Sequence, residues 1–527
     1  MAGFGGFTSG GKPFFPLGAQ AHNSSSYSEE QLREAARSVL AFGANTLEAP
    51  VYWDIVEPEE GVFDFSMVDT MLGVCRESGL KLVMLWFASW KNGESTYCPA
   101  YIKRDAARFP RVLCPDGTAA SAVSAHYESS RGADARAFAR LCAYIKEADP
   151  DMDTVIALQV ENEPGFLRTD RDYSPAALAH QAEAPPAELL AYIDALGQGD
   201  PYEHRRALGF PAARTWRDCF GIHGYEYCEA WHMARYIDAV AAAGKAEHDI
   251  PMLVNVWLGE TAVWGVAGIE YPMGGAVNRT LDIWLCAAKN IDIIAPDIYE
   301  ENTYRFEKIC AEYGRDGNPL FVPESFRTAG NARNMFHAIA SGAAGYSCFG
   351  AEDIFGGDGS VCPEYLPMIG SLKAARAALP LIMRHRNTGR MRPVVLPEGM
   401  DRRAYEFEKY IGCVLHRPGT LEGRTDYTGM RNPGTPGEQT PRGLIFEEGP
   451  ALFYLAGKFN LRLAHNESPA RNRIDRYLPT VDFIAVEEGF FDAEGNFTVT
   501  RTRNGDEVIF GGFWVTPECG VVRVRLV

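Results

Sequence analysis

Short apolar runs alternate with amphipathic stretches of helical period from the N-terminus to about residue 386. The apolar runs predict strands at Phe14–Gln20, Ala44–Ala49, Leu80–Phe87, Thr154–Val160, Pro251–Trp257, Ile291–Ile298, Leu320–Pro323 and Ala344–Phe349. Between them, helices are predicted at about 28–42, 66–78, 134–147, 225–243 and 277–289, another before Leu320, and a last one over about 366–383. The first helix carries its own start signal, Ser28 as N-cap with Gln31 three residues on. Eight strand-then-helix units predict an α/β fold with a parallel sheet covered by helices. Eight units in about 380 residues suit a closed (β/α)8 TIM barrel with long loops. A doubly wound open sheet is the rival, but it usually has fewer strands and a Gly-rich phosphate turn, which this chain lacks.

After about Arg390 the period changes. Val394–Leu396, Cys413–His416, Ala451–Leu455, Phe483–Val486, Phe497–Thr500 and Val521–Val527 read as strands separated by Gly-, Pro- and Asn-rich turns. The stretches 493–496 and 503–506 read as hairpin turns. The predicted organisation is therefore a catalytic barrel over 1–390 and a smaller antiparallel β-sandwich over 391–527. The second unit is expected to brace the barrel or to form a subunit contact in a homo-oligomer.

Composition narrows the chemistry. The 527 residues carry a net charge of −18, which argues against nucleic acid as a partner, because phosphate binding needs a basic surface. No run of about 18 apolar residues occurs, so no transmembrane helix is expected. The Gly-rich N-terminus lacks the basic and apolar regions of a secretory signal. The 12 cysteines form no CxxC pair and many sit in apolar contexts, which reads as reduced, buried thiols in a cytoplasmic protein. The 11 histidines show no HxH or HExxH pattern, so neither a metal nor an organic cofactor is implied.

In barrel enzymes the site lies at the C-terminal ends of the strands. The fourth predicted strand ends in Gln159-Val160-Glu161-Asn162-Glu163-Pro164-Gly165, and the seventh in Phe321-Val322-Pro323-Glu324-Ser325. A carboxylate at each strand mouth can flank one sugar, and glycosidic cleavage needs such a pair: one acid to protonate the leaving oxygen, one carboxylate to attack or to direct water. Regular alternation would put Glu161 and Glu163 on one face and Asn162 on the other, whereas a bulge would let Asn162 and Glu163 both reach the pocket. Glu161 is expected to be a buried salt-bridge partner.

These motifs resemble those of the clan A glycoside hydrolases, and most of all family 35, the β-galactosidases. The stretch Gly43-Ala44-Asn45-Thr46-Leu47-Glu48, with Val51-Tyr52-Trp53-Asp54, Glu57-Pro58, Gly61 and Phe63-Asp64-Phe65, is similar to that family's second-strand signature. Gln159 to Gly165 resembles its acid/base motif, with Pro164 where the family has Tyr. The resemblance implies Glu163 as acid/base, Glu324 as nucleophile, Asn162 at the sugar 2-hydroxyl, Tyr299 as a hydrogen-bond partner of the nucleophile, and Glu48 among the sugar contacts. It also implies an accessory β-domain at the C-terminus. Pro50 replaces a tyrosine that faces the sugar, and Trp86-Phe87-Ala88-Ser89-Trp90-Lys91-Asn92-Gly93 replaces the third-strand sugar-binding segment, so galactose is expected to be only modestly favoured over glucose.

Further sugar contacts are read from position. Trp53, Trp86, Trp90, Trp257 and Tyr299 fall at or just past strand ends, where an aromatic face can stack on a pyranose. Lys91, Asn92 and His22 are candidate hydroxyl ligands. The long insertion from Phe166 to about Arg217 is expected to wall the leaving-group side. Together these readings predict a retaining, exo-acting β-glycoside hydrolase working on a terminal β-linked hexose. The alternatives are a β-glucosidase, a transglycosylase on β-linked oligosaccharides, and a carbohydrate-binding relative without catalysis.

Overall fold

The computed structural model describes residues 4–259, 265–416, 440–467, 481–492, 495–503, 505–509 and 513–527. Its N-terminal part is a parallel sheet of seven strands: β1 (Leu17–Gln20), β2 (Thr46–Tyr52), β3 (Lys81–Lys91), β4 (Val155–Asn162), β5 (Met252–Val256), β6 (Ile293–Pro296) and β7 (Tyr346–Phe349). The order is β6-β5-β4-β3-β2-β1-β7, every pair parallel. The strands are buried on both faces, which is why they read as continuous apolar runs rather than alternating ones.

The seventh predicted strand is the exception. Leu320–Pro323 joins no regular ladder; residues 320–325 lie between β6 and β7 and make single parallel bridges, Ile298 with Ser325 and Val322 with Tyr346. Pro323 within this segment has no N–H to donate, which leaves it one ladder hydrogen bond fewer. The expected eight-stranded barrel is thus a curled sheet of seven ladder strands with one bridged segment between its edges.

Helices α1 (Glu29–Phe42), α2 (Ser66–Ser78), α3 (Glu128–Ala148), α4 (Pro175–Ala182), α5 (Gly224–Glu247), α6 (Leu281–Ala287), α7 (Thr303–Tyr313), α8 (Ala329–Ala340), α9 (Leu366–Ala377) and α10 (Leu379–His385) cover this sheet or, for α4, lie in the insertion. In α1 the Ser28 side chain accepts from Gln31 N, and Gly43 at φ 79° closes the other end by donating to Leu40 O. The last predicted helix is broken into α9 and α10 with a bend of 67°, because Pro380 removes a helical N–H and crowds the preceding turn. No single helix among the described residues is long and apolar enough to cross a membrane.

Apart from two short antiparallel hairpins, Phe7–Ser9 with Lys12–Phe14 and Arg111–Leu113 with Ala119–Val123, the antiparallel strands form one sheet: β8 (Met391–Val395), β9 (Arg402–Glu406), β10 (Tyr410–Leu415), β11 (Arg442–Gly449), β12 (Leu452–His465), β13 (Phe483–Phe491), β14 (Phe497–Thr502), β15 (Phe513–Val515) and β16 (Val521–Leu526). The first half of β12 pairs with β11 and β16, the second half with β10 and β15, so one long strand serves both parts of the nine-stranded sheet. The turn read at 493–496 joins the paired strands β13 and β14, with 493 and 494 outside the described residues. The turn read at 503–506, with Asn504 outside them too, leads instead into a short helix, Asp506–Ile509, and among the described residues no strand pairs back onto β14 across it.

Candidate active site

Parallel strands deliver their last residues to one end of the sheet, and there a cavity of about 480 Å³ opens. Asn23, Lys91, Asn92, Glu163, Trp257, Leu258, Asp297, Tyr299, Glu300, Glu324 and Phe349 line it. Its floor holds three buried carboxyl groups, Glu163, Asp297 and Glu324, with one oxygen of each within 4.8 Å of the others.

The β3–β4 pair shapes one side. Trp86 pairs with Val160 and Lys91 with Asn162, so β3 advances five residues while β4 advances two. The bulge is therefore on β3, and its freed backbone N–H groups need acceptors. Glu161 supplies them: its carboxylate accepts from Ser89 N at 3.1 Å and Trp90 N at 2.7 Å. The expected salt bridge is not what holds Glu161. It faces Asp134, and burial, then this second acid, raise its pKa well above the usual range. The bulge brings Lys91 Nζ to 2.9 Å from Asn162 Oδ1, and Asn162 Nδ2 is buried with no partner among the described residues.

Glu163 follows in a left-handed conformation, φ 48°, after Glu161 at 62°. That backbone is costly for a non-glycine residue and is the kind of strain that surrounding contacts must hold. Here Glu163 N donates to Asn255 Oδ1 at 3.0 Å. The Asn255 side chain also donates to Asp297 Oδ2 at 2.9 Å and Glu324 Oε1 at 3.3 Å, so one amide touches all three acids.

The three carboxyls are not equivalent. Glu324 receives Gln20 Nε2 at 2.8 Å, Asn255 Nδ2, and the Tyr299 hydroxyl at 2.5 Å. Three donors converging on one group is the pattern of a carboxylate. Burial first, then the Glu324 charge, push Glu163 up to about 7, against the opposing pull of Lys91, Trp257 and Asp297. Asp297 is also raised well above its usual range, by burial and then by Glu324 and Glu163. Like charges this close cannot all ionise, so protons stay on the two groups with fewer donors. The arrangement sets a carboxyl group held by three donors on one side of the cavity against one whose pKa is raised on the other.

Of the residues read from sequence, Glu163, Glu324, Lys91, Asn92, Trp257 and Tyr299 line the cavity. Asn162 lies behind Lys91. Trp53, Trp86 and Trp90 do not line it; all three are core residues. Trp53 Nε1 donates to Glu57, Trp86 Nε1 to Asp134 on α3, and the Trp90 ring meets Tyr236 on α5 edge-on at 4.6 Å. Trp86 and Trp90 are thus turned toward the covering helices. His22 Nε2 is engaged by Asp353 at 2.8 Å, off the cavity wall. Glu48 is buried under the floor, its carboxyl taking the Ser347 hydroxyl; burial raises its pKa to about 8, Ser347 opposes, and the Glu324 charge adds to the rise. The insertion after Glu163 contributes none of the lining residues; Arg168 pairs with Glu94, and Asp172 accepts from Leu113 N, Ser124 and Ser174. Gln20, Asn255 and Asp297 went unmarked in the sequence, although each is a polar residue at or just past the end of an apolar strand.

Residues 21–181 match the model of glycoside hydrolase family 42, described as beta-galactosidase. The family matched is thus 42, not the family 35 that the motifs resemble. Residues 372–513 match a domain of unknown function, DUF5597. A beta-galactosidase of Xanthomonas manihotis is 29% identical over 186 residues, covering 32% of this chain and 26% of that protein, so the chain aligns with about a quarter of this relative. Among solved structures, the catalytic domain of a beta-amylase from Paenibacillus polymyxa is similar with a TM-score of 0.49 and 14% identity, over 67% of this chain and 97% of that one. A family 42 beta-galactosidase of G. stearothermophilus, solved as a catalytic mutant, gives 0.48 and 13%, over 72% of this chain and 58% of that one.

Proposed function

We propose that this protein is a β-galactosidase-like glycoside hydrolase of the family 42 type, acting by retention on a terminal β-linked hexose. The observation that carries the reading is the pair Glu163 and Glu324: carboxyl oxygens within 4.8 Å across a cavity floor, one acid favouring its proton and the other held by three donors. Retaining enzymes keep their two carboxyl groups about 5–5.5 Å apart, and inverting ones leave room for a water. The match over 21–181, which includes Glu163, supports the same class.

In this mechanism Glu324 attacks the anomeric carbon while Glu163 protonates the departing oxygen. Glu163 then takes a proton from water, or from a second sugar, as the glycosyl–Glu324 bond breaks. Tyr299 and Asn255 hold Glu324 on its trajectory. Asn162, Lys91, Asn92 and Trp257 are the proposed sugar contacts. Pro50 offers no hydroxyl, so galactose is favoured only modestly over glucose. The region from 391 onward braces the barrel without supplying catalytic groups. The 12 free cysteines, most of them buried, fit a reducing, cytoplasmic setting.

An activated 2-fluoro galactoside should label Glu324, Glu324→Gln should lose turnover by orders of magnitude, and proton NMR should show the β-anomer formed first. Labelling of another residue, or an α-anomer first, overturns the reading. Hydrolysis of a panel of aryl β-glycosides tests the sugar; strong, exclusive activity on galactosides would overturn the modest preference.

A further inference from the structure

Away from the cavity, three histidines far apart in sequence meet. His126 precedes α3, His180 lies on α4 within the insertion, and His232 lies on α5. One ring nitrogen of each falls within 4.8 Å of the others. His126 Nδ1 and His180 Nδ1 face each other at 2.9 Å, the His180 and His232 rings stack at 4.2 Å, and His126 and His232 are 4.5 Å apart by centroids. We propose that His126, His180 and His232 form a binding site for a divalent transition-metal ion, zinc by its donor set, that clamps the insertion onto the helices covering the sheet.

The surroundings are built as such a site requires. His126 Nε2 lies 2.9 Å from Glu229 Oε2, and both side chains are 1% exposed. Glu229 is itself fixed by Asp172 N at 3.2 Å and Gln181 Nε2 at 2.9 Å. A carboxylate on the outer nitrogen sets the tautomer, presents the Nδ1 lone pair inward and makes it a better ligand. Asp172 and Gln181 belong to the insertion and Glu229 to α5, so the support comes from two of the elements that carry the ligands. His232 makes no hydrogen bond among the described residues; stacking alone does not explain why its ring is placed there. His180 and His232 are only partly buried, which leaves an ion a way in. Three imidazoles with an open fourth position suit zinc, and imidazole also suits nickel and copper. The inference departs from the sequence expectation of no metal, because the ligands sit on three elements and leave no spacing motif.

The test uses the full-length chain, stripped with chelator, loaded with zinc sulfate and dialysed. Elemental analysis should find one zinc per chain, loading should raise Tm by several degrees, and cobalt substituted for zinc should give the absorption of a tetrahedral nitrogen-rich site. His180→Ala, at a partly exposed position, and the double variant His180→Ala with His232→Ala should lose the equivalent of zinc and the rise in Tm. Glu324→Gln, which breaks the other close group of three possible ligands, should keep both. Absence of stoichiometric zinc in the wild type, equal retention by the histidine variants, or loss confined to Glu324→Gln would each overturn the proposal.

Discussion

Asn255 Oδ1 accepts the backbone N–H of Glu163 at 3.0 Å, and this bond holds Glu163 in its left-handed turn. The other end of the same amide donates to Asp297 and Glu324. Position and charge of the three acids are therefore set together by one side chain. Asn255→Ala should free the Glu163 backbone and strip one donor from Glu324. We expect kcat to fall by about 100-fold, the scale of losing two or more hydrogen bonds that involve charged groups, with KM changed little. Steady-state kinetics on an aryl β-galactoside decide it; an equal change confined to KM would place Asn255 in sugar binding instead.

The pH profile follows from Glu163. A general acid must enter the first step protonated, and burial with the Glu324 charge sets Glu163 at about 7. The alkaline limb of kcat/KM should fall near that value. Lys91 pulls Glu163 the other way, so Lys91→Met should move the limb to higher pH even as overall activity drops. The same group gives a stability signature. Its folded pKa is raised from 4.5, so its contribution is fully present below about 4.5 and is lost as pH rises through about 7. Glu163→Gln should therefore gain in Tm over the wild type at about pH 8 and not at about pH 4. A limb that stays put in Lys91→Met would remove Glu163 from the acid role.

How much of this was legible in the sequence depended on what each signal measures. Buried parallel strands are apolar throughout, so all seven ladder strands could be read from hydrophobicity. The seventh predicted strand could be found but not its irregularity, because an apolar run does not say whether its backbone makes a ladder or, as here, single bridges. Glu163 and Glu324 were visible as acids at strand ends. The role of Glu161 was not, since it depends on a bulge in a different strand, β3, whose Ser89 and Trp90 N–H groups it accepts. That bulge also misled the aromatic assignments. Regular alternation does not hold between Trp86 and Lys91, and Trp90 ends against Tyr236 rather than in the cavity.

This difference separates two tryptophans in a measurable way. Trp257 lines the cavity and Trp90 is buried in the core. Trp257→Ala should raise KM by about 2- to 10-fold, the scale of an aromatic contact, and leave Tm nearly unchanged. Trp90→Ala should cost about 3–5 kcal/mol of stability through the cavity it leaves, with KM intact in the folded fraction. Thermal denaturation and saturation kinetics on both variants read the two effects. An exchange of the two phenotypes would restore Trp90 as the sugar platform.

The C-terminal sheet makes the last case, because its contacts with the helices of the parallel sheet are those of a core. Leu444, Phe446 and Tyr454 belong to the same buried cluster as Met335, Leu372 and Leu381 of α8, α9 and α10. Arg442 is buried at this junction, its Nε donating to Ser371 Oγ at 3.0 Å and an Nη to Pro367 O at 3.3 Å on α9. A buried guanidinium is tolerated only where such acceptors satisfy it, so the two regions are built to stay together. Phe446→Ala should cost about 3–5 kcal/mol, which lowers Tm clearly, while kcat/KM of the folded protein stays within a few-fold of the wild type. A chain ending at Arg390 would bare the apolar faces of α8 and α9 and should aggregate or unfold at moderate temperature. Retention of full activity and wild-type Tm by that shortened chain would show that the sheet from Met391 onward does not support the N-terminal curled sheet and its helices.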